Sequence, residues 1–206
     1  MLYYAPVVSE TDDGVITYAT PVALPGAVSM SLSAQGERRY LSADNVAYVE
    51  AWSNGGYEGD VTLALIPDHF RLACLGEKQD AAEGSNVTYE TAELITQRFA
   101  LLGQFEGDYA NIRFCFYNCT ASRPQISSQS LDGESGLDPS QSTETMTISA
   151  KGRRADKIVR AKIIDDGSDT FKNWFSSVYV PATTAPDPDP EPEPDPDPDP
   201  ESGDGS

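Results

Sequence analysis

One histidine, three cysteines and no apolar run near the ~18 residues of a membrane span bound this 206-residue sequence. With His69 alone, a zinc site of histidine and cysteine is not expected, and no other cofactor is indicated. Residues 1–6 lack the basic and apolar regions of a secretory signal, so synthesis in the cytoplasm is expected. There Cys74, Cys115 and Cys119 would be reduced, space-filling thiols, with Cys115 and Cys119 on one face of a strand. The phosphate loop GxxxxGKS/T, HExxH and GxSxG are all missing, so no enzymatic activity is expected.

Positive charge is scarce as well: 14 Lys and Arg face 33 Asp and Glu, for a net charge of -19. Residues 182–206 hold nine acids, no Lys or Arg and no large apolar side chain. Removing those nine leaves 24 acids against 14 bases in residues 1–181, a net charge of -10. Such a surface repels phosphate, which argues against tightly held nucleic acid or an anionic membrane. Residues 1–181 form one domain of ordinary size, able to bury roughly 70% of its unfolded surface. Residues 182–206 read as a disordered tail. Within it, residues 186–201 alternate proline with Asp or Glu, a pattern that favours extended polyproline II and cannot make a core.

The domain reads as mainly β, a sandwich or partly closed barrel with a short flanking helix and long polar loops. Val28, Met30 and Leu32 alternate with Ser29, Ser31 and Ser33, the period of a half-buried strand. Residues 46–52 form another strand, which the loop at residues 53–56 is expected to fold back onto the strand that follows it. Phe99, Leu101 and Phe105 alternate in the next strand, residues 98–105. Its partner sets Ile112, Phe114 and Phe116 against Arg113, Cys115 and Tyr117. In residues 143–150 threonines oppose Met146 and Ile148; in residues 157–164, Val159, Ala161 and Ile163 point inward.

The segment at residues 57–76 departs from this pattern. Its apolar strand meets Pro67, suited to the first helical position, with Asp68 at the positive end of the helix dipole. Phe70, Ala73 and Cys74 share a helical face, and Gly76 ends the helix. Near the end of the domain, Asp169 is read as the cap of a short helix. Phe171, Trp174, Phe175 and Val178 form its core-packing stripe.

Few side chains suggest chemistry. His69 is read as solvated or capping, and Glu58 with Asp60 as a solvated edge rather than a catalytic pair. The glycosylation sequons at Asn86 and Asn118 carry no weight without a secretory signal. Lys151, Arg153, Arg154, Lys157, Arg160 and Lys162 gather in what reads as one basic hairpin. On an acidic protein such a hairpin is expected to meet the acidic surface of another copy. Residues 122–141 are polar and nearly free of apolar side chains, as in a loop ordered by a neighbour. Lys151, Arg153, Arg154 and Lys157, with Gln125, Asp132 and Glu134 of that loop, are the inter-subunit candidates.

Several segments, in order, resemble the major tail proteins, or tail tube proteins, of long-tailed bacteriophages (siphophages). They are YATPVALPGAV (18–28), YEGDVTLALIPDHF (57–70), FALLGQFEG (99–107) and FYNCTASRP (116–124). Asn173-Trp174-Phe175 and Val178-Tyr179-Val180-Pro181 close the resemblance, which spans residues 1–181. It implies a virion subunit with a β-sandwich core that forms hexameric rings, stacked into a hollow tube through which DNA reaches the host. Implied partners are further copies and other tail proteins such as the tape measure, terminator and distal tail proteins. DNA would pass as cargo that does not stick, and no membrane is involved. Lumen-facing acids would be sought at Glu58, Asp60, Glu106 and Asp108, which flank strands. An alternative from another class is a surface-displayed binding module on a proline-rich stalk, although no sorting motif or span follows the tract. A small hydrolase using Asp or Glu has no supporting constellation.

Overall fold

Alternating apolar and polar residues give this chain one large antiparallel sheet, wrapped around two cores and left open at its edges. The computed structural model describes residues 1–43, 46–82, 84–105, 110–125 and 143–182, with residues 39–43 and 46–51 described by backbone alone. The strands are β1 (Leu2–Glu10), β2 (Ile16–Tyr18), β3 (Val22–Leu24), β4 (Ala27–Gln35), β5 (Arg38–Ala43), β6 (Val46–Trp52) and β7 (Gly56–Leu63). They continue as β8 (Lys78–Gln79), β9 (Thr88–Tyr89), β10 (Phe99–Gln104), β11 (Arg113–Ala121), β12 (Glu144–Ala150) and β13 (Arg160–Ile163). The helical turns are α1 (Asp68–Phe70), which widens into a π-turn at Arg71–Leu75, and α2 (Asp169–Lys172).

The main sheet has nine strands in the order β2-β1-β10-β11-β12-β7-β4, with β3 added to β1 and β13 to β11. It does not close into a barrel. Its two branch points share a logic. β1 pairs β3 through Leu2–Tyr4 and β2 through Val7–Glu10; β11 pairs β13 through Arg113–Phe116 and β12 through Cys119–Ala121. A bulge in β11 makes the second branch possible: the register against β10 shifts between Phe99 and Leu101, and Asn118 takes a left-handed φ of 48°. Arg98 Nη1 holds that asparagine by donating to its Oδ1 at 3.1 Å.

The bulge corrects one expectation. Cys115 and Cys119 do not share a face: the extra residue turns Cys115 to one core and Cys119 to the other. All three cysteines are free and buried.

The first core contains Tyr4, Val61, Phe70, Cys74, Phe99, Phe116 and Ile148. The second contains Ala5, Ala100, Leu102, Cys115, Tyr117 and Trp174, with Phe175 and Val178 packed against it. Each residue pair along β10 therefore serves both cores, and this central strand reads as continuous apolar sequence.

The first helical expectation holds with a one-residue shift, and the second only over its first turn. Pro67 is the N-cap rather than the first helical residue, Phe70 and Cys74 are fully buried, and Gly76 stops the turn at φ 81°. At α2 the cap is Ser168, whose Oγ accepts from Phe171 N–H at 3.1 Å, and Asp169 opens the only turn. The helix ends at Lys172, so Trp174, Phe175 and Val178 reach the second core from beyond it and not along a helical stripe.

The expected reversal at residues 53–56 does not occur. β6 pairs β5, and β7 pairs β4, so the chain jogs at residues 53–55 and continues in the same ribbon. Local bonds explain the jog: Gly56 N–H donates to Asn54 Oδ1 at 3.0 Å and Gly55 N–H to Gln35 O at 2.7 Å. The basic hairpin also fails, because β12 and β13 both pair with β11 and not with each other.

Candidate functional site

Over three rows of their outward face, the adjacent strands β4, β7 and β12 present only hydroxyl and carboxylate side chains. The registers align it in three rows: Ser29 with Thr62 and Thr145, Ser31 with Asp60 and Thr147, and Ser33 with Glu58 and Ser149. Thr62 and Ser149 are half-buried and the other seven are exposed. Val61, Met146 and Ile148 point the opposite way into the first core, at 0 to 1% exposure, which fixes the polar set outward.

Hydrogen bonds stitch the rows. Thr62 Oγ1 and Thr145 Oγ1 lie 2.9 Å apart, and Thr147 Oγ1 donates to Asp60 Oδ1 at 2.9 Å. Gly59, between the two acids, lets β4 approach; a Cβ there would sit 1.9 Å from Ser31 O. These nine residues carry two negative charges and no cation, and Lys151, two residues beyond Ser149, reaches Gly55 O at the end of the face.

A partly buried ion cluster ties this sheet to the helical turn. Arg71 donates from Nη1 to Glu77 Oε1 at 3.0 Å, from Nη2 to Glu144 Oε1 at 2.6 Å and from Nε to Ile66 O at 3.2 Å. Glu144 Oε2 in turn accepts from Ile66 N–H at 2.7 Å, so the first residue of β12 anchors the loop leading into α1. Burial opposes the charge on Arg71, but the two carboxylates outweigh it and raise its pKa.

The residues expected to matter are dispersed. Glu58 and Asp60 stand together on the polar face. Glu106, Asp108, Asp132 and Glu134 lie outside the described residues, and Gln125 is exposed beside that stretch. Of the basic set, Arg153 is corrected: it is only 3% exposed, donates through Nε and Nη2 to Asp156, and lies 4.7 Å over the Tyr117 ring. A buried guanidinium so engaged is part of the core and not of a basic surface. Lys151 donates to Gly55 O at 3.2 Å, Arg154 donates to Asp12 O, and Lys157 is exposed in a left-handed turn at φ 60°. His69 is exposed with its Nδ1 2.8 Å from Tyr4 Oη, in keeping with a solvated ring.

Sequence reasoning found the serine alternation of β4 and the threonine face of β12, but not that β7 brings them side by side. The Arg71–Glu144 pair left no signal, since 73 residues separate its partners. Among the described residues, no group of three or more His, Cys, Asp or Glu is placed to hold a metal ion. No helix among them is long and apolar enough to cross a membrane.

No family model and no curated protein matches the sequence. Among solved structures, the chain is similar to one from the cryo-EM structure of the anti-feeding prophage baseplate, 6-fold symmetrised. The TM-score is 0.31 at 9% identity, over 79% of this chain and 91% of that one.

Proposed function

We propose that this protein is a structural subunit of a phage tail. It assembles into hexameric rings that stack as a tail tube, through which DNA passes to the host. The observation that carries this reading is the nine-residue face on β4, β7 and β12, composed of hydroxyls and carboxylates alone. A channel for a polyanion must not hold its cargo, and a wall that repels phosphate and lacks apolar grip meets that need.

The open sheet supports the same reading. Among the described residues β4 ends the strand order with no further strand on its outer edge, a surface on which a neighbouring copy can continue the sheet. Contacts of that kind are head-to-tail, and they close into a ring when the rotation per subunit divides a full turn. The sequence resemblance across residues 1–181 points to the same class. In this account the protein is a virion component without catalytic activity, and its other partners are the remaining tail proteins. Negative-stain microscopy of the purified full chain at high concentration tests it. Rings or tubes are expected; a protein that stays monomeric at every concentration overturns the reading.

A further inference from the structure

On the core side of β4, opposite the polar face, an open trough of about 450 Å³ runs between β4 and the end of β11. Its wall is aromatic and continuous. Tyr57 meets Phe116 at 5.1 Å, Phe116 meets Phe114 at 5.5 Å, and Phe114 meets Phe105 at 5.2 Å between ring centroids. Phe105 is 47% exposed, which is unusual for a side chain with this much apolar company. Arg160 and Lys162 line the rim, both exposed and neither in an ion pair with another described residue. Arg160 lies 5.3 Å over Tyr57 and 5.9 Å over Phe116, so it completes the aromatic wall rather than turning away from it.

Aromatic walls of this kind suit proline, whose ring packs flat on them and whose backbone comes already extended. Residues 186–201 place proline at every second position, with eight Asp or Glu between. Polyproline II has about three residues per turn, so each face of the tract carries proline and acid in alternation, for example Asp187, Pro190, Glu193 and Pro196. One face can therefore meet rings and cations at once. On a body already at a net charge of -10, the cations of this rim are where such a tract gains rather than loses electrostatic energy.

The topology brings the tract close. The chain before it is pinned in the second core: Trp174 Nε1 donates to Phe114 O at 3.2 Å and Tyr117 Oη donates to Tyr179 O. Ala161 and Ile163 of β13 face that core, whereas Arg160 and Lys162 alternate to the trough side. β13, an edge strand of four residues, thus has the second core on one side and the trough on the other.

We propose that the trough is the docking site of the chain's own proline–acid tract, with prolines on the aromatic wall and carboxylates at Arg160 and Lys162. The test is zero-length carbodiimide crosslinking of the full chain, read by mass spectrometry on an equal mixture of ¹⁴N and ¹⁵N protein. Lys162 should join acids of residues 187–201 far more often than the exposed Lys78 and Lys157 do, and within one isotope. Arg160→Glu should abolish those links, Phe105→Ser should weaken them, and high salt should remove them from the unsubstituted protein. Links from Lys162 no more frequent than from Lys78 and Lys157, links indifferent to salt, or links of mixed isotope, which place a neighbour's tract in the trough, would each overturn the proposal.

Discussion

Thr147 Oγ1 donates to Asp60 Oδ1 at 2.9 Å, joining β12 to β7 across the outward face of the sheet. The bond holds an exposed carboxylate in a fixed row between two hydroxyl-bearing strands, with Ser31 on its other side. Its partner acid, Glu58, lies one row away on the same strand. The proposed channel wall depends on this fixed negative pair.

Reversing that charge changes what the wall holds. Assembled Glu58→Lys/Asp60→Lys protein should retain double-stranded DNA at low salt and release it as salt rises, because phosphate contacts exchange with counterions. Assemblies of the unsubstituted protein should retain none. Both residues are exposed, so folding stability should move by no more than about 0.5 kcal/mol. DNA retention by filter binding, beside a thermal melt, checks both halves.

Arg71→Met should be among the most destabilising single changes. It strands Glu77, 7% exposed at its side chain, and frees Glu144 from the loop before α1. Removing one partner of a buried pair costs roughly 3–5 kcal/mol, and the partial exposure of Glu144, 27%, puts the expected loss toward the lower figure. Urea denaturation at neutral pH measures it. A double substitution, Arg71→Met with Glu144→Gln, should recover part of the loss.

The thiols should be silent in the folded protein. Burial pushes Cys74 and Cys119 up to about 12, and Cys115 further still. At mildly alkaline pH the reactive thiolate is therefore scarce and also out of reach. A thiol-reactive disulfide reagent should titrate no cysteine in the native state and all three in denaturant, with native labelling limited by the rate of unfolding.

Acid should weaken the fold through two carboxylates. Burial raises the pKa of Asp156, but hydrogen bonds from Arg153 and from the Ile158 N–H outweigh it and hold the group below the usual range. The bond from Arg98 lowers Glu10 in the same direction. Because both folded values are depressed, their contribution is complete above about pH 4, the unfolded carboxylate value, and is lost as pH falls through the folded ones. Denaturation at a series of pH values should show this fall, and Asp156→Asn should flatten it while lowering stability at neutral pH.

Much of the fold is legible in the sequence because its signals are local. The alternation of Phe114 and Phe116 against Arg113 and Cys115, the helical turn after Pro67 and the start of α2 beside Asp169 all depend on neighbours in sequence. What escaped depends on distant pairing. Asn54 and Gly55 resemble a reversing turn, yet their bonds to Gly56 and Gln35 make a jog, because β4 and not β6 is the partner of β7. Asn118 bulges β11 and sends its two cysteines to different cores, which no period-two reading can foresee. The candidate face follows the same rule: each strand's polar side is readable, but its assembly into one wall needed the strand order.

The most direct measurement is a cryo-EM map of the assembled full chain, resolved well enough to trace β4, β7 and β12. Six copies around a channel, with Glu58 and Asp60 of every copy facing its axis, are what this account predicts. A ring whose channel is lined by other strands, with Glu58 and Asp60 on the outer surface, would contradict it.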